Sequence, residues 1–371
     1  MTVSVPMSSP DITGSEIDAV MEVLYTHHLS IGPKIDAFEK NIAEYVGVKH
    51  GIGVNSGTSG LHLAVIAAGV EAGDEVITSS FSFIASSNSI LYERANAVFV
   101  DIDPQTGNID PALIEAAITP RTKAIMPVHV FGQPADMDPI MEIARKHNLF
   151  IIEDACEAIG AEYKGRQAGT FGDAAVFAFY PNKQMTTGEG GMMVTNRDDW
   201  NNLFRSLRNQ GRDVFDGWLN HTRLGYNYRL DEMSAALGIA QFKRIDELLA
   251  KRAQVAEWYN ERIDEIVGID KPVIAETTTR MSWFVYVVRC GDGIDRNALI
   301  KALGDNGIPS RPYFTPIHLQ PFYQNQFGWK RGDLPYTEKA GDTFLALPFS
   351  GVMSEDQVDT VCKTLQQFTR C

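Results

Sequence analysis

The chain has 371 residues, 44% hydrophobic and 22% charged, and carries a formal net charge of -14. That length leaves room for two or three domains around a sizeable core, and the composition excludes a disordered or fibrous chain. The acidic balance argues against a nucleic-acid partner, which demands a basic face, while leaving room for an anionic ligand in a local pocket. The four cysteines (Cys156, Cys290, Cys362, Cys371) have neither metal nor disulfide spacing. The opening MTVSVPMSSPDITG has no basic patch before an apolar run, so no signal peptide is expected. No apolar run approaches the roughly 20 residues that cross a bilayer. A cytoplasmic, soluble protein without a membrane partner is the expectation.

In chain order, Asp11 is placed to begin a helix, and Glu16–Leu24 has apolar residues at helical spacing. His27 and His28 are adjacent, so in a strand they point to opposite faces, and with no third ligand evident no metal site is expected. Ser30–Pro33 reads as a turn before an amphipathic helix, Ile35–Tyr45, with Phe38 as a core contact. The run Gly51–Gly60, GIGVNSGTSG, fails as a dinucleotide fingerprint because Ser56 stands where a glycine is needed. It reads instead as strand, small-residue turn, and a helix over Leu61–Ala68. Free amides at such a helix start form an anion site, and a tight turn without a ligand would read the same way.

Strands and helices then alternate. Glu75–Thr78, Ala97–Val100 and Lys123–Pro127 read as strands, and Ser82–Leu91, Pro111–Ile118 and Pro139–His147 as helices. This order predicts a mostly parallel sheet with helices on both faces and ligands at the strands' carboxyl ends. Phe83 lies at one such end. The apolar run Leu149–Ile152 empties into Glu153 and Asp154. Another, Ala174–Phe179, delivers Pro181, Asn182 and Lys183, then TTGEGG. One carboxylate and one lysine thus stand at two strand ends, the pair that pyridoxal phosphate chemistry requires. A surface lysine and a helix-capping aspartate would look the same in isolation.

After a strand at Met192–Thr195 and a helix at Trp200–Arg208, the polar stretch Asn209–Tyr226 reads as a long mobile loop. A single helix is predicted over Asp231–Leu249, with a charged helix from Lys251 to Ile266 leading into a second domain. Arg229 is a candidate partner for a substrate carboxylate, which its fork would grip bidentately. The remainder mixes a strand, Phe284–Arg289, with helices Arg296–Asn306 and Ser354–Phe368, an α+β lobe. The division expected is 1–248 and 249–371.

The segments EDACEAIGA and AGTFGDAAVFAFYPNKQMTTGEGG resemble the core of the DegT/DnrJ/EryC1/StrS family of sugar aminotransferases, and the likeness runs from about Ser30 to about Tyr323. The resemblance implies the type I fold of pyridoxal-phosphate enzymes, aspartate aminotransferase-like, in which a large α/β domain carries the cofactor. It makes Lys183 the Schiff-base lysine and Asp154 the partner of the pyridinium nitrogen. Gly57, Thr58 and Ser59 would hold the phosphate and Phe83 would stack on the ring. Asn227 would reach the phosphate across a homodimer interface, giving shared active sites. His129, in a segment like the family's PVHLFG, is read as structural. Arg311, Tyr313 and His318 fall in the substrate-side segment. The implied reaction is transfer of an amine from L-glutamate to a nucleotide-linked keto-sugar, with a 4-keto-6-deoxyhexose aminated at C4 as the expectation. The alternatives are a 3-keto substrate, or a regulator or dehydratase without aminotransferase turnover. Dehydratase members carry histidine at the position of Lys183. Two positions depart from the pattern: Ala178 where a serine often bonds the phosphate, and Glu157 where many members have glutamine. Glu157 would then meet the ring's phenolic oxygen or face the sugar.

Overall fold

The computed structural model describes residues 5–212 and 220–369. Part of the Asn209–Tyr226 loop (213–219) and Cys371 therefore lie outside the described residues. The strands are β1 His50–Val54, β2 Glu75–Ser79, β3 Asn96–Val100, β4 Thr122–Met126, β5 Phe150–Asp154, β6 Glu162–Tyr163, β7 Arg166–Gln167, β8 Ala174–Ala178 and β9 Gly191–Thr195. The later ones are β10 Ile269–Asp270, β11 Thr278–Arg280, β12 Tyr286–Cys290, β13 Arg311–Pro312 and β14 Phe344–Leu347.

Seven of them form the large sheet in the order β1-β9-β8-β5-β4-β2-β3. Every pairing is parallel except those of β9, which runs against both β1 and β8. The sheet is buried on both faces, as its apolar runs require. On one face Val54, Leu61, Val65, Val176 and Phe204 pack together. The other face divides into a cluster around Phe38, Phe177 and Phe179 and one around Ile77, Ile125 and Ile151. With one antiparallel strand, six strands leave their carboxyl ends along a single edge.

The C-terminal lobe is built on a four-stranded antiparallel sheet, β10-β12-β14-β13. Its core stacks Tyr259, Tyr286 and Trp283 against Leu303, Leu345 and Val361. Phe81, Phe131, Phe314 and Phe344 meet edge-on and face-on in the seam between the large sheet and this lobe.

Three local expectations are corrected. The first helix, Gly14–Leu24, is capped by Thr13 in a reciprocal box with Glu16, not by Asp11, whose carboxylate pairs with Arg244 and Lys251. The helix expected over Asp231–Leu249 is two helices, Glu232–Phe242 and Ile245–Ile263, because Arg244 leaves helical geometry at φ -108°, ψ 12°. Ser82–Leu91 turns helical only from Ala85. The expected division at 248/249 falls inside Ile245–Ile263, whose Leu248 and Leu249 join the core against the large sheet while Val255 and Tyr259 join that of the lobe.

Candidate active site

Along the sheet's carboxyl edge lies a cavity of about 410 Å³, walled by residues from β1, β2, β5 and β8 ends and by two residues from the lobe, Phe284 and Tyr313. Asp154 closes β5 on this side, 5% exposed. Its Oδ2 accepts a hydrogen bond from the Ser86 hydroxyl at 2.6 Å and its Oδ1 accepts the Cys156 N–H at 3.2 Å. Both atoms are thereby aimed, and the carboxylate still lines the cavity. Lys183 enters from the turn after β8. Its Nζ lies 3.6 Å from Glu157 Oε1 and 3.8 Å from the centre of the Phe284 ring. Glu157 is anchored at its other oxygen, which accepts the Phe131 N–H at 2.8 Å. Burial raises its carboxyl above the usual range, with Lys183 pulling the other way.

The anion-binding end of the cavity is the start of helix Gly57–Ala67. Ser56 caps it by accepting the Ser59 N–H at 3.1 Å, and Gly57 and Thr58, whose amides the helix cannot satisfy itself, line the cavity. Glycine is required at 57, since a Cβ there would sit 2.8 Å from the Cys156 sulfur and 2.9 Å from the Ala178 Cβ. Ala178, the missing serine, therefore lines the same wall without a hydroxyl to offer. Burial pushes the Cys156 thiol well up, so it stays neutral there.

The remaining expected site residues divide. Phe83 and Tyr313 line the cavity, Phe83 with 63% of its surface exposed. Ser59 does not: its hydroxyl is engaged by Asn55 and Ser56 in the cap. Asn227 is exposed and absent from the lining of its own chain's cavity, its carbonyl accepting from the Asn55 amide at 3.5 Å. Arg229 donates to Asn209 and Arg311 to the Ser310 carbonyl, both outside the lining. His318 offers no donor to the cavity. Its ring is fully buried between the Ser80 hydroxyl at 2.7 Å and Glu338 at 3.2 Å. Burial lowers its basicity, against the opposing pull of Glu338. His129 is structural as expected, buried against Glu153.

Several contributors have no sequence signal. Ser86 orients Asp154 from a distant helix. Phe131 holds a φ of 60° to aim its amide at Glu157, a left-handed conformation that costs a bulky residue energy. Gly132, beside it, has no room for a Cβ, which would fall 1.8 Å from the Ser282 carbonyl oxygen. Arg252 donates to the carbonyls of Asn182 and Lys183 from below. The donor set fits pyridoxal phosphate: amides for the phosphate, a buried carboxylate for the ring nitrogen, and an amine for the aldehyde carbon.

The model of the DegT/DnrJ/EryC1/StrS aminotransferase family matches residues 10–366. GDP-perosamine synthase of Caulobacter vibrioides is 46% identical over 367 residues, covering 98% of each chain. Among solved structures, DesV of S. venezuelae superposes with a TM-score of 0.93 at 34% identity over the whole of both chains. Spr1654 of Streptococcus pneumoniae, solved in PMP and PLP forms, gives 0.95 and 0.94 at 27% and 28% identity respectively, covering 99% of this chain and at least 98% of its own.

Proposed function

Because the chain belongs to the DegT/DnrJ/EryC1/StrS aminotransferase family and is a pyridoxal-phosphate-dependent sugar aminotransferase of fold type I, we propose that it moves an amine from L-glutamate to C4 of a GDP-linked 4-keto-6-deoxyhexose. The observation that carries the reading is the convergence of Asp154, Lys183, Gly57 and Thr58 on one cavity. The nucleotide and the carbon are inferred from the 46% likeness to a GDP-perosamine synthase.

When bound, pyridoxal phosphate supplies an electron sink for negative charge on the carbon bearing the amine. Asp154, its oxygens fixed by Ser86 and the Cys156 amide, would face the ring nitrogen and favour its protonated form. Lys183 is the residue that would hold the cofactor, and its amine, when free, would be placed to carry a proton, a task suited to a base held within reach. Phe284 beneath Nζ and Glu157 beside it keep that amine over the cavity and away from bulk water. Phe83 and Tyr313 offer faces for the ring and the incoming sugar.

The site is completed by a second copy of the chain, with Asn227 supplied in trans. Its exposure and its absence from the lining of its own cavity support this. Mixing Lys183→Ala with Asn227→Ala chains should restore activity, since one site per heterodimer is then intact. No recovery in a mixture shown to exchange subunits places Asn227 in its own chain's site.

NMR of the product formed from L-glutamate and GDP-, UDP- and dTDP-linked 4-keto-6-deoxyhexoses tests the substrate. A 4-amino product from the GDP sugar is expected. An amine at C3, or preference for another nucleotide, overturns the assignment.

A further inference from the structure

Arg252 is 3% exposed, yet among the described residues no carboxylate pairs with it. Burying a cation without an anion costs several kcal/mol unless its donors are well matched. Here they are spent on main-chain carbonyls: Nη2 donates to Asn182 at 3.0 Å and Lys183 at 2.7 Å, and Nη1 to Trp283 at 3.3 Å and Phe284 at 3.1 Å. The guanidinium also lies 5.6 Å from the centre of the Phe349 ring. Burial pulls it down to about 10, so it remains charged at neutral pH.

The choice of acceptors is what matters. One pair belongs to the turn that carries Lys183. The other belongs to the segment that carries Phe284, whose ring lies 3.8 Å from Lys183 Nζ. One planar fork therefore ties the lysine's backbone to the backbone of the surface its amine rests on. A cation serving only as glue would gain as much from any exposed carbonyls.

We propose that Arg252 is a positioning residue that fixes the Lys183 amine for covalent capture of the cofactor and for proton transfer. The proposal rests on Lys183 being the attachment residue. Lysine cannot reproduce the fork, because its ammonium is a point charge without fixed donor directions. In R252K the amine should wander, and displacement by about 1 Å costs on the order of a hundredfold in rate.

The experiment uses full-length protein. The rate at which apo-protein captures pyridoxal phosphate is followed by absorbance, with hydrogen exchange over 180–186 and the kcat and KM of the loaded enzyme. R262A, on the same helix, is the stability control, since it breaks the pairs with Glu355 and Asp359 far from the cavity. R252K is expected to capture ten- to a hundredfold more slowly, lose kcat by a similar factor with KM within threefold, and show faster exchange over 180–186. R262A should capture at the wild-type rate. Wild-type capture by R252K, whatever its Tm, overturns the proposal. If R252K does not fold, Q184L gives the second reading. It releases the neighbouring tie from Gln184 to the Glu157 and Ser282 carbonyls and leaves the Arg252 fork in place. Capture within threefold of wild type there supports the fork as the positioning element, and a tenfold loss overturns it. Borohydride reduction and peptide mapping of the wild-type protein separate the two readings: an adduct on another lysine removes the Lys183 assignment itself.

Discussion

Glu153 and Asp154 are consecutive carboxylates on one strand, and they have opposite lives. Side chains alternate across a strand, so the two point to opposite faces of the sheet. Glu153 is fully buried, and its oxygens accept from His129 at 3.0 Å and from the amides of Gly169, Phe171 and Gly172 at 2.7–2.8 Å. The ring of His129 has one tautomer available, since Nδ1 accepts the Ala135 N–H and Nε2 must then donate. Nothing on Glu153 is left over for a ligand. Asp154 receives two bonds, from Ser86 and Cys156, and keeps acceptor capacity on the cavity side. A saturated carboxylate holds structure, and one held in place but left unsaturated can hold a ligand.

The largest expected effect breaks the cavity half of that contrast. Asp154→Asn keeps the shape and the Ser86 contact but cannot hold the ring nitrogen's proton by charge. Turnover should fall on the order of a hundredfold or more, the range typical of a lost preorganised electrostatic contact, while the cofactor stays attached to Lys183 and the unfolding free energy changes little. Steady-state kinetics beside urea unfolding checks this. Turnover within threefold of wild type would show that Asp154 faces nothing that matters.

The mirror experiment is Glu153→Gln. The amide's NH2 must then confront at least one N–H that Glu153 now accepts, leaving buried donors unmatched. The cost should be about 2 kcal/mol or more of unfolding free energy, with kcat per folded molecule within threefold. If stability holds and kcat collapses, the division of labour between the two residues is the reverse of the one argued here.

How much of this was legible beforehand depended on whether a partner was near in sequence. The lysine turn, the Asp154 strand end and the Ser56–Gly57 helix start are each local: a few consecutive residues state both the backbone shape and the chemistry. The strand and helix alternation showed equally well, because both periods are local. What the sequence did not show was set by distant partners. His318 has the look of a donor, but Ser80 and Glu338 consume both its nitrogens. Arg229 and Arg311 have forks suited to anions, yet in this chain they reach Asn209 and a neighbouring carbonyl. The break at Lys243–Arg244 involves no glycine or proline, so an unbroken apolar period hid it. Arg252 reads as one more charge on an amphipathic helix.

Glu157 lies between the two regimes and carries the smallest expected effect. One oxygen is committed to the Phe131 amide, as those of Glu153 are to theirs, while the other faces Lys183 at 3.6 Å. Asp154, Cys156 and Tyr313 are the other titratable groups around it. Burial raises its carboxyl above an exposed glutamate's range. As pH falls, Glu157 therefore takes up its proton while exposed glutamates are still charged, and Lys183 loses its negative neighbour. If that charge helps hold the lysine amine, wild-type turnover declines along this acidic limb. Glu157→Gln preserves an acceptor for Phe131 and lacks the charge at every pH. It should lose about fivefold in turnover at neutral pH, equivalent to roughly 1 kcal/mol, and its pH profile should be flat where the wild type falls. A variant that keeps the acidic limb unchanged would assign that limb to another group and leave Glu157 with Glu153, as a residue that only holds the backbone.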